Sequence, residues 1–440
     1  MRVLIAVHGF PPTHYAGAER AAERIVHWLV NQGHEVEVFT LEQLDAPHTH
    51  LDTTSEDGYV IHRLNYDLRA RTKFHHSYDH PAVGKAFESV LSKSRFDVVH
   101  IISGYLLGGQ IIHLAKSFGI PVVLTLTEYW FMCSRLNLLQ SNGALCSGPE
   151  TDEKCARCLL EERRRFRLPS LLVPALADYF WSVTNHRLPV FQDKIRNMAR
   201  RRQMLREAFN TADIIISPSR FLIHKFAEYG FDTTHCVYIR HGLTPTHPIS
   251  SQPRTFHPGE TLRLGYIGQI KRHKGTDLLI DAVLPLLDDG FDISLEIWGP
   301  ENEALNYAAR LRRRTQKHPA IQWKGSYDAS QVWDVLSRFD ALVISSRWYE
   351  NSPTVITEAF TAGLPVIATN LGGMAELVEH EKSGLLFELN NADDLRRQIR
   401  RLIDEPELLR QLREGIPATK SAEEEAAEIF EQYLKVVVKV

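Results

Sequence analysis

Short runs of Val, Ile and Leu, each followed by an amphipathic stretch of helix length, recur along both halves of this chain. In the first half the runs fall at 3–7, 36–41, 59–64, 98–102, 122–126 and 214–217. In the second half they fall at 262–267, 294–298, 321–324, 341–345, 366–369 and a short 385–387. Near-continuous apolar runs mark strands buried on both faces, as in parallel sheets covered by helices. Strand–helix alternation builds right-handed crossovers. The pattern predicts an α/β chain of two doubly wound, Rossmann-like domains.

Residues 243–260 hold Pro245, Pro248, Pro253, Pro258 and Gly259 with few apolar residues, a linker composition. The expected division is 1–242, a linker at 243–260, a second domain at 261–418, and a final helix at 419–440 that could return to the first domain. Residues 390–440 read as two helices. One segment, about 133–210, has no strand pattern and reads as a helical insert in the first domain. Within 161–206 there are 11 Lys and Arg against 4 Asp and Glu, a local excess of 11 − 4 = +7. The whole chain carries 51 − 54 = −3, which removes nucleic acid as a default partner. With 44% hydrophobic and 24% charged residues, disordered, collagen-like and disulfide-scaffold classes are excluded. The most apolar stretch, 168–181, contains Pro169, Ser170, Pro174 and Asp178 and falls short of the ~20 residues of a spanning helix. The run 2–7 is too short for a secretory signal. A cytoplasmic chain is expected, with cysteines as reduced thiols or metal ligands.

Ligands of open parallel sheets bind beyond the carboxyl ends of strands. After the run 341–345 come Glu350, Asn351, Ser352, Pro353, Thr354, Val355 and Glu358. Ser352 followed by Pro353 predicts an N-cap with Pro at the first helical position. A helix start with free N–H groups suits phosphate. Glu358, four residues after Thr354, shares its face. Two carboxylates beside such a terminus suit the hydroxyls of a sugar and a ribose, although a capped helix with a solvated Glu reads equally well. The loop after 262–267 supplies Gly268, Gln269, Lys271, Arg272, Lys274 and Gly275, glycines for close approach and cations for phosphate. Gly372 and Gly373 with Glu376, and Gly17 after Pro11 and Pro12, make two further glycine turns into helices. Taken singly, each reads better as a tight turn.

Glu350 and Glu358 at this spacing, with Lys274-Gly275, Gly372-Gly373 and Gly17, resemble the retaining family-4 glycosyltransferases of the GT-B fold, the glycosyl transferases of group 1. The order and spacing match over essentially the whole chain, most closely in its second half. The resemblance implies two domains facing a cleft, the first for the acceptor and the second for a nucleotide-diphosphate sugar, UDP- or GDP-linked. It implies that Glu358 binds ribose, Glu350 the donor hexose, and Lys274 the diphosphate. Gly17 would approach the diphosphate and Gly373 would lie near the sugar. Gln269, Lys271, Asn351, Ser352, Thr354 and Val355 are further candidate donor contacts. It implies front-face attack with retention, onto a glycan, polysaccharide-precursor or glycolipid acceptor. The chain contains no Asp-x-Asp, so no catalytic divalent metal is expected. Two positions depart from the pattern. Gln269 stands where an Arg is common, and Thr127-Glu128 stands where the family has His-Asp. Glu128 is the candidate for orienting the acceptor. Thr127 keeps open a second reading, a nucleotide-sugar-binding subunit without catalysis. A sugar-nucleotide epimerase is a third, but acid and base groups on both sugar faces cannot be placed.

Cys133, Cys146, Cys155 and Cys158 cluster in the insert with Cys-x2-Cys at its end. Lys154 and Arg157 would favour thiolates. Structural zinc and reduced thiols both fit this spacing, with an iron–sulfur cluster or redox disulfides behind them. The insert also alternates Arg163, Arg164, Arg165, Arg167 and 200–202 with Phe166, Leu171, Leu172, Phe180 and Trp181. A solvated face reads slightly better than contact with an anionic membrane at its inner face or with a lipid-linked acceptor. His8 and His100 close strands and could line the cleft, while His75, His76 and His80 read as surface.

Overall fold

The apolar runs become strands of two separate sheets. The computed structural model describes residues 1–440 apart from 15–16, 43–44, 68–72, 246–253, 255, 258, 303, 406 and 439–440. Much of the proline-rich stretch 243–260, including Pro248, Pro253 and Pro258, therefore lies outside the described residues. The chain divides into a unit of residues 1–240 with 423–440 and a second unit of residues 241–422.

The first sheet holds β1 (Arg2–Val7), β2 (Glu35–Leu41), β3 (Asp45–Glu56), β4 (Tyr59–Asp67), β5 (Val98–Ile102), β6 (Val122–Thr125), β7 (Ile214–Ser217) and β8 (Cys236–Tyr238). Its order is β3-β4-β2-β1-β5-β6-β7-β8. The second holds β9 (Leu262–Ile267), β10 (Ile293–Trp298), β11 (Ile321–Gly325), β12 (Ala341–Ile344), β13 (Val366–Thr369) and β14 (Gly384–Phe387), in the order β11-β10-β9-β12-β13-β14. Pairings are parallel except β3 with β4. Strand order reverses beside β1 and beside β9. The crevices for ligands therefore open beyond β1/β5 and beyond β9/β12.

The central strands are buried throughout: Val3 to Val7 and Val98 to Ile102 are inaccessible to solvent, as are Leu342 and Val343. β3 departs from the expected pattern. Its described residues from His48 onward are exposed apart from half-buried Leu51, and its ladder with β4 holds it at the sheet edge. An edge strand without an apolar face leaves no hydrophobic run to read. The carboxyl tail is three helices, Ala392–Asp404, Leu408–Glu414 and Ala422–Val437, where two were expected. The middle one is only two turns long and buries Leu408, Leu409 and Leu412.

The last helix belongs to the first unit. It carries Ile429, Tyr433 and Val436 into the core around Val3, Ile5 and Val7. The insert is helical, Asp152–Leu160, Arg164–Leu172, Pro174–Arg187 and Pro189–Thr211, with a small core of Leu160, Ala177, Trp181 and Phe191. No helix among the described residues is long and apolar enough to cross a membrane.

Candidate functional site

Glu350 follows β12 and Lys274 follows β9, the two strands at the reversal of the second sheet. Lys274 Nζ donates to Glu350 Oε1 at 2.6 Å. Ser346 Oγ and Trp348 Nε1 donate to the same oxygen, each at 2.7 Å. Oε2 accepts no hydrogen bond among the described residues. Burial alone would raise this carboxyl. The Lys274 ammonium, then the hydrogen bonds from Lys274, Ser346 and Trp348, outweigh it and hold Glu350 below the ordinary carboxylate value. Lys274 also lies 5.1 Å from the centre of the Trp348 ring.

The backbone locks this pair in place. Gly275 sits at φ 73°, in the left-handed region, and a Cβ there would overlap the Ser345 carbonyl. Ser345 Oγ donates to the Gly275 carbonyl at 2.8 Å, and Arg347 N to the His273 carbonyl at 2.7 Å. These bonds join the loop after β9 to the loop after β12. From β13, Gly373 N donates to the Glu350 carbonyl at 2.9 Å, and a Cβ on Gly373 would overlap the Asn351 carbonyl. Asn351 is buried beside Glu350.

The helix expected to begin at Pro353 is Thr354–Thr361, with Pro353 as its cap and no side-chain cap bond. Ser352 is therefore not the N-cap. Pro353 has ψ 110°, so the helical turn begins one residue later than expected. Ser352 Oγ is buried without a hydrogen-bond partner. Thr354 is exposed, and Val355 and Glu358 are half-buried. Gln269 is exposed and Lys271 half-buried. With Ile270, Pro300 and Asn302 these two line a small cavity of about 90 Å³.

The first unit presents a different carboxylate. Ser103 Oγ donates to Glu128 Oε1 at 2.9 Å, and Thr127 Oγ1 donates to Oε2. Burial pushes the Glu128 carboxyl up, and the hydrogen bonds from Thr127 and Ser103 with the nearby His8 do not offset it. His8, at the end of β1, places Nε2 3.3 Å from Glu19 Oε1 and stands 5.5 Å edge-on from Tyr105. Burial would raise Glu19, but His8 lowers it on balance. Gly17 opens the first helix, and a Cβ there would meet open space. His100 does not line a crevice. It is fully buried, bonded to Tyr433 Oη at 2.6 Å and Thr125 Oγ1 at 2.7 Å, and burial pushes it down to about 3. His80 is also buried, and its Nδ1 caps the helix Pro81–Leu91.

Two family models match the sequence: "Glycosyl transferases group 1" over residues 250–418 and "Glycosyl transferase 4-like domain" over residues 16–149. Together they take in more than half of the chain. The chain belongs to the group 1, 4-like glycosyltransferase family. This group 1 chain is 26% identical over 246 residues to YtcC of Bacillus subtilis, covering 51% of the chain and 58% of the relative. To glycogen synthase of Mycobacterium tuberculosis it is 28% identical over 201 residues, covering 44% of the chain and 46% of the relative. It thus spans about half the length of these relatives. Its fold is that of sucrose-phosphate synthase from Thermosynechococcus elongatus, with a TM-score of 0.66, 17% identity and 100% of both chains covered. Anabaena HepE in complex with UDP and glucose gives a TM-score of 0.62 at 14% identity, over 99% of this chain and 100% of that one. The fold is GT-B, and both domains are of the expected parallel, Rossmann-like kind.

The helical insert lies almost wholly between the two matched stretches of this group 1 chain. Its cysteines, Cys133, Cys146, Cys155 and Cys158, are free and line one cavity of about 370 Å³. The zinc expectation is not met: among the described residues, no group of three or more His, Cys, Asp or Glu is placed to hold a metal ion. Nor are thiolates favoured. Burial pushes Cys155 up to about 12 and Cys158 up to about 11, and Cys146 is raised too. Lys154, paired with Glu150 at 3.1 Å, lowers Cys146 without offsetting its burial, and Arg157 is held by Glu161 at 2.7 Å.

Sequence reading singled out Lys274 and Glu350 by their strand-end loops, and Glu128 only as a departure from the family resemblance. It missed their partners Ser346, Trp348 and Ser103, and the His8–Glu19 pair. Each of these except Glu19 lies in the first few residues after a strand, so the strand-end rule alone would have found them.

Proposed function

We propose that this chain is a retaining glycosyltransferase that moves a hexose from a UDP- or GDP-sugar to a glycan or lipid-linked acceptor. The observation that carries the reading is the Lys274–Glu350 pair at the reversal of the second sheet. Three donors meet one carboxylate oxygen, which leaves Oε2 to accept from a hexose hydroxyl. Lys274 stands ready to meet the negative charge that develops on a departing diphosphate. Glu358, on the helix after Glu350, takes the ribose hydroxyls. The start of that helix, without a side-chain cap, and the unpartnered Ser352 Oγ are phosphate-binding groups. Asn351, Thr354, Val355 and Gly373 shape the pocket around them, with Gln269 and Lys271 on the phosphate side. Gly17, at the start of the first helix, is the first unit's candidate contact for the diphosphate. Charge on the leaving group is met by Lys274 and helix ends, without a catalytic metal.

Glu128 orients the acceptor. Burial raises its carboxyl, which favours the protonated, donating form relative to an exposed glutamate. The departing phosphate can take the proton of the attacking hydroxyl, so the family His replaced by Thr127 is not required as a base. Thr127 also supports the second reading, a donor-binding subunit without turnover, because its hydroxyl is committed to Glu128. Thermal shift against UDP- and GDP-sugars, followed by slow donor hydrolysis, separates the readings. Binding with hydrolysis supports the enzyme, binding without hydrolysis supports the subunit, and no binding of either donor class overturns both.

A further inference from the structure

The helical insert ends in a hairpin whose tip is apolar. Leu171, Leu172, Val173, Pro174, Ala175 and Leu176 join the helices Arg164–Leu172 and Pro174–Arg187, and all six are exposed. Leu172 is 76% exposed, Leu176 66% and Tyr179, one turn further on, 70%. Connections between helices are ordinarily polar, because water surrounds them. A run of exposed apolar residues destabilises a water-soluble fold unless something covers it. The hairpin has satisfied its own core already: Trp181 and Phe191 pack at 5.2 Å between ring centres, with Phe166 against both. The tip residues are left over from that packing.

The charge on the hairpin points to the partner. Residues 163–184 carry four Arg and one Asp, 4 − 1 = +3, with no Lys or Glu. Arg163, Arg164 and Arg165 are exposed at the start of the first helix, where the helix dipole disfavours cations, and no acidic residue occupies its first turn. None of these three, nor Arg167, makes an ion pair among the described residues, whereas the neighbouring Arg157 is held by Glu161 and Asp178. The arginines are thus uncompensated and sit about 12 Å along the helix from Leu172, at ~1.5 Å per residue.

We propose that this hairpin docks the chain on an anionic lipid bilayer. The apolar tip enters the interface, Tyr179 sits at headgroup depth, and the arginines behind it meet lipid phosphates. An interfacial element buries its apolar face roughly 5–10 Å below the headgroups, which fits the separation of tip and cations. An exposed apolar tip with uncompensated cations on the same helix matches a layered partner, apolar inside and anionic outside, better than a second protein surface. The docking is independent of donor chemistry and needs no donor to be measured.

The test is co-sedimentation of the full chain with vesicles of phosphatidylcholine alone and of phosphatidylcholine with phosphatidylglycerol. Binding to the anionic vesicles at low salt, weakened by added salt, is expected. Leu172→Glu with Leu176→Glu should lower that binding at least ten-fold while leaving the melting temperature and donor hydrolysis unchanged. Arg163→Gln, Arg164→Gln and Arg165→Gln together should remove the preference for anionic vesicles. No binding to anionic vesicles at low salt overturns the proposal. So does a self-association seen in sedimentation velocity that the Leu172→Glu, Leu176→Glu variant abolishes, which would make the tip an interface between copies. Equal binding of wild type and the Leu pair variant also overturns it.

Discussion

Both units place a carboxylate just beyond a strand end, and their surroundings shift the two in opposite directions. Glu350 is buried with an ammonium 2.6 Å away and titrates below the usual range. Glu128 meets only hydroxyl donors, and burial raises it. The same burial that penalises both charges decides the outcome only where no cation answers it. One fold can thereby shift two carboxylates in opposite directions, with the difference set by surroundings rather than residue type.

The most disruptive way to break this contrast is Lys274→Met. It strands a buried carboxylate, and a loss of about 3–5 kcal/mol is expected in denaturant melts, with donor binding lost. Adding Glu350→Gln should recover part of the stability and none of the turnover. The pH dependence follows from the lowered Glu350. Its contribution is fully present above the unfolded value near 4.5 and is lost as pH falls through the folded value, so Glu350→Gln should flatten the acid limb of melting temperature against pH.

Glu128→Gln should act in the opposite sense. The raised carboxyl favours folding below its unfolded value near 4.5, and that contribution is lost as pH rises through the folded value. The variant should therefore melt at the same temperature or higher at neutral pH, with the gain growing as pH rises. Transfer should still fall, chiefly through a higher acceptor KM, because Glu128 orients the acceptor and carries no proton in the transfer. A Glu128→Gln variant that is destabilised at high pH would show that the fold favours the carboxylate there, and the contrast would fail.

Smaller effects sharpen the assignment. Glu358→Ala should weaken donor binding about ten-fold, or roughly 1.4 kcal/mol, in calorimetry at unchanged fold. Unchanged donor affinity would remove Glu358 from the ribose site. Tyr433→Phe removes one hydrogen bond to buried His100 and should cost about 1 kcal/mol, with no effect on donor binding.

Much of the second unit was legible because each signal is local. Lys274 and Gly275 lie in one loop, Glu350 and Glu358 in another, and the apolar runs announce the strands on either side. Ser346 and Trp348 were in plain view in the same loop, but their convergence on Glu350 Oε1 depends on how the loop after β12 bends back. The Ser352 cap failed because a Ser-Pro pair does not state where the first helical turn closes. β3 failed because its pairing uses backbone groups and leaves no side-chain signature. The cysteine spacing suggested a tetrahedron; the fold gathers the four cysteines on one cavity and raises Cys146, Cys155 and Cys158 by burial.

The sequence by itself determined two largely parallel sheets and the residue types beyond their strands, since hydrophobic periodicity suffices for those; their strand orders and reversal points came from the structure. Only the tertiary structure decided which way each carboxylate shifts, because that depends on what lies within a few ångströms rather than on neighbours in the chain. It also decided the fate of the +7 excess. Part of that charge is neutralised, as in Arg202 with Asp152 at 2.6 Å, while the arginines of the apolar-tipped hairpin stand uncompensated.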